Sequence, residues 1–118
     1  MTANKKTIET YMDGFRKTDR SQILSCLDDD VEWVIPGAFH IHGKEEFDKH
    51  IVDEGFVGHP QITISRLIEA DDVVVAEGSV RAPKSDGTFM ELVFCDVFDM
   101  RQAKIRRLIS YLMEAKLK

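Results

Sequence analysis

The segment TFMELVFCDVFDM, residues 88–100, has the alternation of a β-strand and is mostly apolar on both faces. An antiparallel strand with water on one side would alternate clearly between apolar and polar residues. We therefore predict that this strand is covered twice, by helices or a ligand pocket on one face and by a second copy of the chain on the other. One face carries Met90, Leu92, Phe94, Asp96, Phe98 and Met100, and the other carries Phe89, Glu91, Val93, Cys95, Val97 and Asp99.

Asp96 is the only charged residue on its face of this strand. A buried carboxylate without a partner tends to take up a proton, because its ionised form is poorly solvated there. A neutral acid in an apolar pocket can donate a hydrogen bond to a ligand oxygen, or exchange a proton with it, near neutral pH. The alternative is that an arginine, a tyrosine or a backbone amide satisfies Asp96, which then only stabilises the sheet.

The segments around this strand predict helices first and strands afterwards. Apolar residues at helical spacing, Ile8, Tyr11, Met12 and Phe15, indicate a helix that begins near Asn4, its predicted N-cap. A short second helix follows an N-cap at Asp19, and a third starts after Gly43 and ends by Gly55. This order favours an α+β fold with a curved, mostly antiparallel sheet and helices on one face. Strands are predicted over residues 31–35, 62–68, 73–82, 88–100 and 104–113.

The overall composition indicates one domain over residues 1–118, because 118 residues with 43% apolar content suffice for one core. The net charge is −5, and the basic residues do not cluster with aromatic residues, which argues against nucleic-acid binding. No apolar run approaches the roughly 20 residues that span a bilayer. We expect a cytoplasmic protein without a membrane partner, with Cys26 and Cys95 reduced.

Three segments together resemble a known family. They are YMDGF at residues 11–15, LDDDVEWVIPG at residues 27–37 leading to HGKE at residues 42–45, and CDVFDM at residues 95–100. On these segments the whole chain resembles a nuclear transport factor 2-like domain of the SnoaL-like kind, a superfamily that includes ketosteroid isomerases, polyketide cyclases and limonene epoxide hydrolases. The resemblance implies a cone-shaped fold, commonly dimeric, with a ligand pocket between the first helix and the concave sheet.

The resemblance also implies roles for individual residues. It places the isomerase's oxyanion-hole tyrosine on Tyr11 and its protonated oxyanion-hole aspartate on Asp96, a pairing that is part of that isomerase's known chemistry. The isomerase's base, an aspartate just before a proline, corresponds here to Ile35 before Pro36. His40 is a candidate for the missing base, because imidazole exchanges protons near neutral pH.

The predicted pocket wall combines this resemblance with the strand pattern. Its expected lining residues are Phe15, Trp33, Ile35, Leu92, Phe94, Leu108, Ser110 and Leu112. Arg81 and Glu77, with Asp96, could imitate the polar set of the epoxide hydrolases, but we favour solvent or the dimer surface for that polar strand face. His40 and His42 share one side of an extended chain and could bind a metal with His59, yet loop histidines are commoner and we expect no metal.

Two functions follow from the sequence. The first is an isomerase- or cyclase-type enzyme that acts on a small apolar, oxygen-bearing substrate and uses Asp96 and Tyr11 as hydrogen-bond donors or as acid and base, without a cofactor. The second is a non-catalytic ligand carrier or a dimerisation module with a vestigial pocket, which the isoleucine at position 35 favours. In both cases we expect a homodimer formed through the outer face of the sheet.

Overall fold

The computed structural model describes residues 1–52 and 54–115. Over these residues, no helix combines the length and the apolar character needed to cross a membrane. The helices are α1 (Ala3–Lys17), α2 (Arg20–Ser25) and α3 (Lys44–Lys49), and the strands are β1 (Leu27–Ile35), β2 (Phe39–His42), β3 (Gln61–Ala70), β4 (Val73–Pro83), β5 (Phe89–Arg101) and β6 (Lys104–Glu114).

All six strands form one sheet in the order β2-β1-β6-β5-β4-β3. β1 runs parallel to β6, and every other neighbouring pair is antiparallel. The antiparallel pairs join strands that follow one another along the chain, whereas β1 reaches β6 only across the rest of the fold. The predicted α+β class, with a cone-like, mostly antiparallel sheet and N-terminal helices against one face, is confirmed.

The face of the sheet that α1 covers, called the inner face below, is almost entirely apolar. Burying a large apolar side chain contributes roughly 1.5–3 kcal/mol, so the contact between α1 and this face is a main source of stability. The sheet contributes Val74, Ala76, Phe98, Ile105 and Leu108, all 0% exposed, and α1 contributes Ile8, Tyr11 and Met12, none more than 3% exposed.

The helix starts agree with the predicted capping chemistry at one of two sites. The Asp19 side chain accepts a hydrogen bond from the Gln22 backbone amide at 3.0 Å, so the predicted N-cap of α2 is confirmed. α1 is capped by Thr2 instead of Asn4. The Asn4 side-chain amide donates to Glu69 at 3.1 Å and therefore attaches the start of α1 to β3.

Two features of the first strands differ from the prediction. β1 begins at Leu27 instead of residue 31, so Asp28 lies within the strand, where it pairs with Arg101 at 2.8 Å. β2 was not predicted, because four residues are too few to give a clear alternation. Its residues Phe39 and Ile41 pack against the core, beside the ends of β1.

Gly78 allows β3, β4 and β5 to approach closely on the inner face. A Cβ atom at this position would collide with the Thr63 carbonyl oxygen and would lie 2.8 Å from Cζ of Phe94. The neighbouring strand β3 is irregular at this level, with a register shift between Ile64 and Arg66. Because one collision is with backbone, a side chain at residue 78 requires a strand to move.

We predict that Gly78→Ala destabilises the fold by about 3 kcal/mol, the upper range for overpacking a tight interior. Ser79→Ala on the exposed side of the same strand is the control and should change stability by less than about 0.5 kcal/mol. Urea unfolding followed by the fluorescence of Trp33 measures both. Equal stability of the two variants would contradict the close approach at Gly78.

Candidate functional site

Asp96 lies on the inner face of β5, between Phe94 and Phe98, and is 8% exposed. Its neighbours across the sheet are Ala76 and Ser110. Within the part of the chain that the structure describes, its Oδ1 atom has no hydrogen-bond partner. Burial raises the pKa of Asp96 from 3.8 to about 7, and a hydrogen bond with Ser110 opposes the rise. Both protonation states are therefore accessible near neutral pH.

Trp33 joins β1 to this carboxyl group through Ser110. The indole Nε1 atom donates to the Ser110 hydroxyl oxygen at 3.1 Å, and both residues are buried. The indole ring also stacks on Phe47 of α3, with centroids 4.5 Å apart. Because the Ser110 oxygen already accepts from Trp33, its own proton is available to Asp96.

Tyr11 of α1 is 3% exposed and lies in the same apolar region. Its ring meets Phe98 edge-on at 5.5 Å between centroids. Burial, and next the negative charge of Asp96, raise the pKa of Tyr11 well above its usual value. The phenol therefore keeps its proton and can act as a donor. No hydrogen bond joins Tyr11 to Asp96 among the described residues.

An apolar pocket of about 270 Å³ opens between the end of α1, the residues 51, 52 and 56–60, and the inner faces of β3, β4 and β5. Phe15 belongs to its wall and also contacts Tyr11 at 5.1 Å and Trp33 at 6.4 Å between ring centroids. The Phe15 ring thus connects the pocket to the buried polar groups. The wall comprises Phe15, Thr18, Ile51, Val52, Phe56, Val57, Gly58, Pro60, Ile62, Val80, Ala82, Pro83 and Met90.

This combination of a helix-covered cone, an apolar pocket and a buried acid can be compared with known proteins. The sequence model of the SnoaL-like domain matches residues 8–108. The chain belongs to the SnoaL-like domain family. The resemblance inferred from the sequence segments is thereby confirmed. Among curated proteins, none matches the sequence.

Solved structures give the same fold. A nuclear transport factor 2-like protein of unknown function from Burkholderia pseudomallei is 20% identical, with a TM-score of 0.84 over 96% of this chain and 92% of that one. TerC, co-crystallised with polyporic acid, is 27% identical, with a TM-score of 0.81 over 92% and 90%. A putative ketosteroid isomerase from Kribbella flavida is 19% identical, with a TM-score of 0.75 over 98% and 82%.

The structure of this SnoaL-like domain places the predicted wall residues in three environments. Phe15 alone among them lines the 270 Å³ pocket. Trp33, Phe94, Leu108 and Ser110 are buried on the inner face, around Asp96 rather than in the pocket. Ile35 and Leu92 are half-buried, and Leu112 is 42% exposed near the end of β6.

Several pocket residues escaped the sequence analysis. Val80 and Ala82 lie on the apolar face of β4, and Met90 shares the face of Asp96, so the alternation of both strands did contain their signal. The pocket residues 51, 52 and 56–60 had no such signal in the sequence, because a segment without regular alternation has no periodicity that indicates its contacts.

His40 does not lie near Asp96. It pairs with Val34 across β1 and β2, and its Nε2 atom lies 2.9 Å from Glu32 on the face opposite Trp33, the outer face. Alternation along β2 places Phe39 and Ile41 inward and His40 outward. The structure therefore does not bring the candidate base to the buried acid.

The remaining polar candidates are also separated from Asp96. Glu77 pairs with Arg66, and Arg81 lies 3.2 Å from Glu91, both on the outer face. His59 is 2.9 Å from Thr18 at the pocket, away from His40. Across residues 1–52 and 54–115, no group of three or more possible ligands could hold a metal ion.

We predict that Asp96 makes the native state less stable as the pH rises. In the native state Asp96 keeps its proton to a higher pH than in the unfolded chain. Raising the pH from about 4 to about 7 therefore favours unfolding, and the free energy of unfolding falls by up to about 4 kcal/mol. Urea unfolding at several pH values should show Asp96→Asn gaining stability relative to the natural chain over this window and no further above it.

Asp99→Asn is the matched control, since Asp99 lies on the same strand but on the outer face. The Asp99→Asn variant should lose stability with rising pH as the natural chain does, because Asp96 is unchanged in it. A constant difference between the natural chain and Asp96→Asn from pH 4 to pH 7 would show that Asp96 ionises normally in the fold.

Proposed function

We propose that this SnoaL-like domain binds a small, mostly apolar, oxygen-bearing ligand and acts on it as an isomerase- or cyclase-type enzyme through Asp96 and Tyr11. The observation that carries the proposal is the unpartnered Oδ1 atom of Asp96, 8% exposed on an otherwise apolar face. Buried polar atoms are normally paired in folded proteins. An unpaired atom on the same face of the sheet as a pocket is a candidate for contact with a ligand that displaces the side chains between them.

The chemistry follows from the two proton-holding groups. Near pH 7, Asp96 can donate its proton to a ligand oxygen or accept one from the ligand, while Tyr11 remains a neutral donor. Ile35, at the base position of the isomerases, cannot accept a proton. The reaction that fits best is therefore one in which a single carboxyl group both gives and takes a proton.

The pocket supplies the apolar part of the recognition. Its wall is lined by aliphatic and aromatic side chains, as small-molecule sites commonly are. Phe15 lies between this space and the cluster of Tyr11 and Trp33, so a ligand that displaces the ring would approach the buried polar groups. TerC, which was co-crystallised with polyporic acid, supports small-molecule binding by this fold.

A non-catalytic ligand carrier is the second candidate function. The observation that favours it is the composition of the pocket wall, which includes Phe15 but not Asp96, Tyr11 or Trp33. In a carrier, Phe15 would stay in place, and the ligand would be held by apolar contacts alone. The cytoplasmic location expected from the sequence stays a prediction.

We predict that Ala82→Phe, which fills the pocket, abolishes binding of methyl naphthyl ketone, measured by quenching of Trp33. Ala82 is 7% exposed in the wall, whereas Ala70→Phe places the same ring at an exposed position at the end of β3 and should bind normally. Ethylnaphthalene, which lacks the oxygen, should bind about 3- to 10-fold more weakly than the ketone to the natural chain.

The dependence on pH separates the enzyme from the carrier. The preference for the ketone should fall as the pH rises through about 7, because ionised Asp96 no longer donates. Asp96→Asn, whose amide donates at every pH, should keep the preference throughout. If the natural chain binds the ketone and the hydrocarbon equally at every pH, the enzyme function is contradicted and the carrier function remains.

We also propose that two copies associate through the outer face of the sheet. Its exposed apolar residues include Val93 at 42%, Tyr111 at 51% and Met113 at 67%, and they border a groove of about 470 Å³. Contiguous exposed apolar surface of this kind is typical of an interface.

We predict that analytical ultracentrifugation at micromolar concentration finds a dimer and that Val93→Glu converts it to a monomer, because the new charge would be desolvated in the interface. Val57→Glu is the control, since Val57 is 50% exposed but lies at the pocket, off the outer face. A natural chain that sediments as a monomer would contradict this association.

A further inference from the structure

Thr18 ends α1 in a backbone conformation that threonine rarely adopts. It is the C-cap residue, with φ 54° and ψ 42°, in the left-handed region where helices normally place glycine or asparagine. A β-branched residue is costly there, and such conformations persist where the surrounding structure holds them, often at ligand sites. The Asp19 backbone amide donates to the Gly14 carbonyl oxygen at 2.8 Å, so this conformation closes the end of α1.

The side chain of Thr18 has a fixed place in the pocket wall. Its hydroxyl oxygen lies 2.9 Å from Nδ1 of His59. Among the described residues that line the pocket, Thr18 alone has a polar side chain. His59 is exposed and lies between Gly58 and Pro60, which also line the pocket. The Thr18 hydroxyl, held by the His59 imidazole, therefore lies at the boundary between the apolar pocket wall and solvent.

The same face of α1 leads from this hydroxyl to the buried acid. Tyr11, Phe15 and Thr18 are spaced i, i+4 and i+7, which places them in one row. Seven residues of helix extend over roughly 10 Å. Tyr11 is the member coupled to Asp96, Phe15 lines the pocket and Thr18 lies at its outer end. Thr18 is thus the polar group at the outer end of the pocket, and Phe15 separates the pocket from Tyr11 at the inner end of the row.

We propose that Thr18 is a ligand-binding residue, positioned by His59, and that it selects a ligand with an oxygen at each end of an apolar body. This inference rests on the proposed function, in which one oxygen is directed to Asp96. When His59 carries its proton on Nδ1, it donates to the Thr18 oxygen, whose own proton then reaches a ligand carbonyl or hydroxyl. When the proton is on Nε2, Thr18 donates to His59 and accepts from a ligand hydroxyl.

The test compares methyl naphthyl ketone with a hydroxynaphthyl methyl ketone that carries its hydroxyl at the far end of the rings. Quenching of Trp33 and calorimetry give both affinities. The natural chain should bind the hydroxy ketone roughly 3- to 10-fold more tightly, as one additional hydrogen bond provides. Thr18→Val keeps the branched shape and should bind the two ketones with equal affinity, because the additional hydrogen bond is lost. Thr18→Ser keeps the hydroxyl and should retain the gain.

The variants of His59 test its positioning role. His59→Ala should reduce the gain, and His59→Asn, whose amide can replace Nδ1, should restore part of it.

Equal affinity of the natural chain for both ketones would overturn the inference and leave binding in the pocket intact. An equal loss of both ligands in Thr18→Val, at unchanged unfolding stability, would also overturn it. If neither ketone binds and Ala82→Phe changes nothing, the proposed function fails as well.

Discussion

The rest of the structure depends on the contact between α1 and the inner face of the sheet, which stabilises the fold and sets the surroundings of the buried acid Asp96. Ile8 is fully buried in it, and Tyr11 meets Phe98 edge-on. The exclusion of water that makes this contact favourable also removes solvent from Asp96, which lies beside Phe98. The apolar residues around Asp96 thus make its ionisation costly, and Ser110 offsets only part of that cost. The raised pKa of Asp96 and the stability of the core thus have the same physical cause.

The sequence contained most of the fold because its long strands alternate clearly. The two apolar faces of residues 88–100 indicated a strand covered on both sides, and Asp96 was recognisable as the one charge on its face. What alternation cannot give is the pairing of distant strands. The parallel contact of β1 with β6 depends on tertiary packing, and β2 is too short to have a signal of its own.

The candidate site was predictable in part for the same reason. Strand parity identified Asp96 as the one charge on its face, and the family resemblance added Tyr11, Trp33 and Ser110, which the structure also buries there. The pocket itself lies farther along α1, where residues 56–60 meet the end of β4 and the start of β5. The contact between Thr18 and His59 joins residues 41 positions apart. Such contacts arise only when a loop and a helix end meet in three dimensions.

The parallel pairing of β1 and β6 has a consequence for the order in which the chain folds. The hydrogen bond from Trp33 to Ser110 links residues 77 positions apart, so it requires the closure of most of the chain. The hairpins of β3, β4, β5 and β6 are local and can form early, whereas β1 and β2 can join the sheet only after β6 is in place. Trp33 and its stacked partner Phe47 would then be buried last. The Asp96 site, which shares the Trp33–Ser110 link, would be completed at the end of folding.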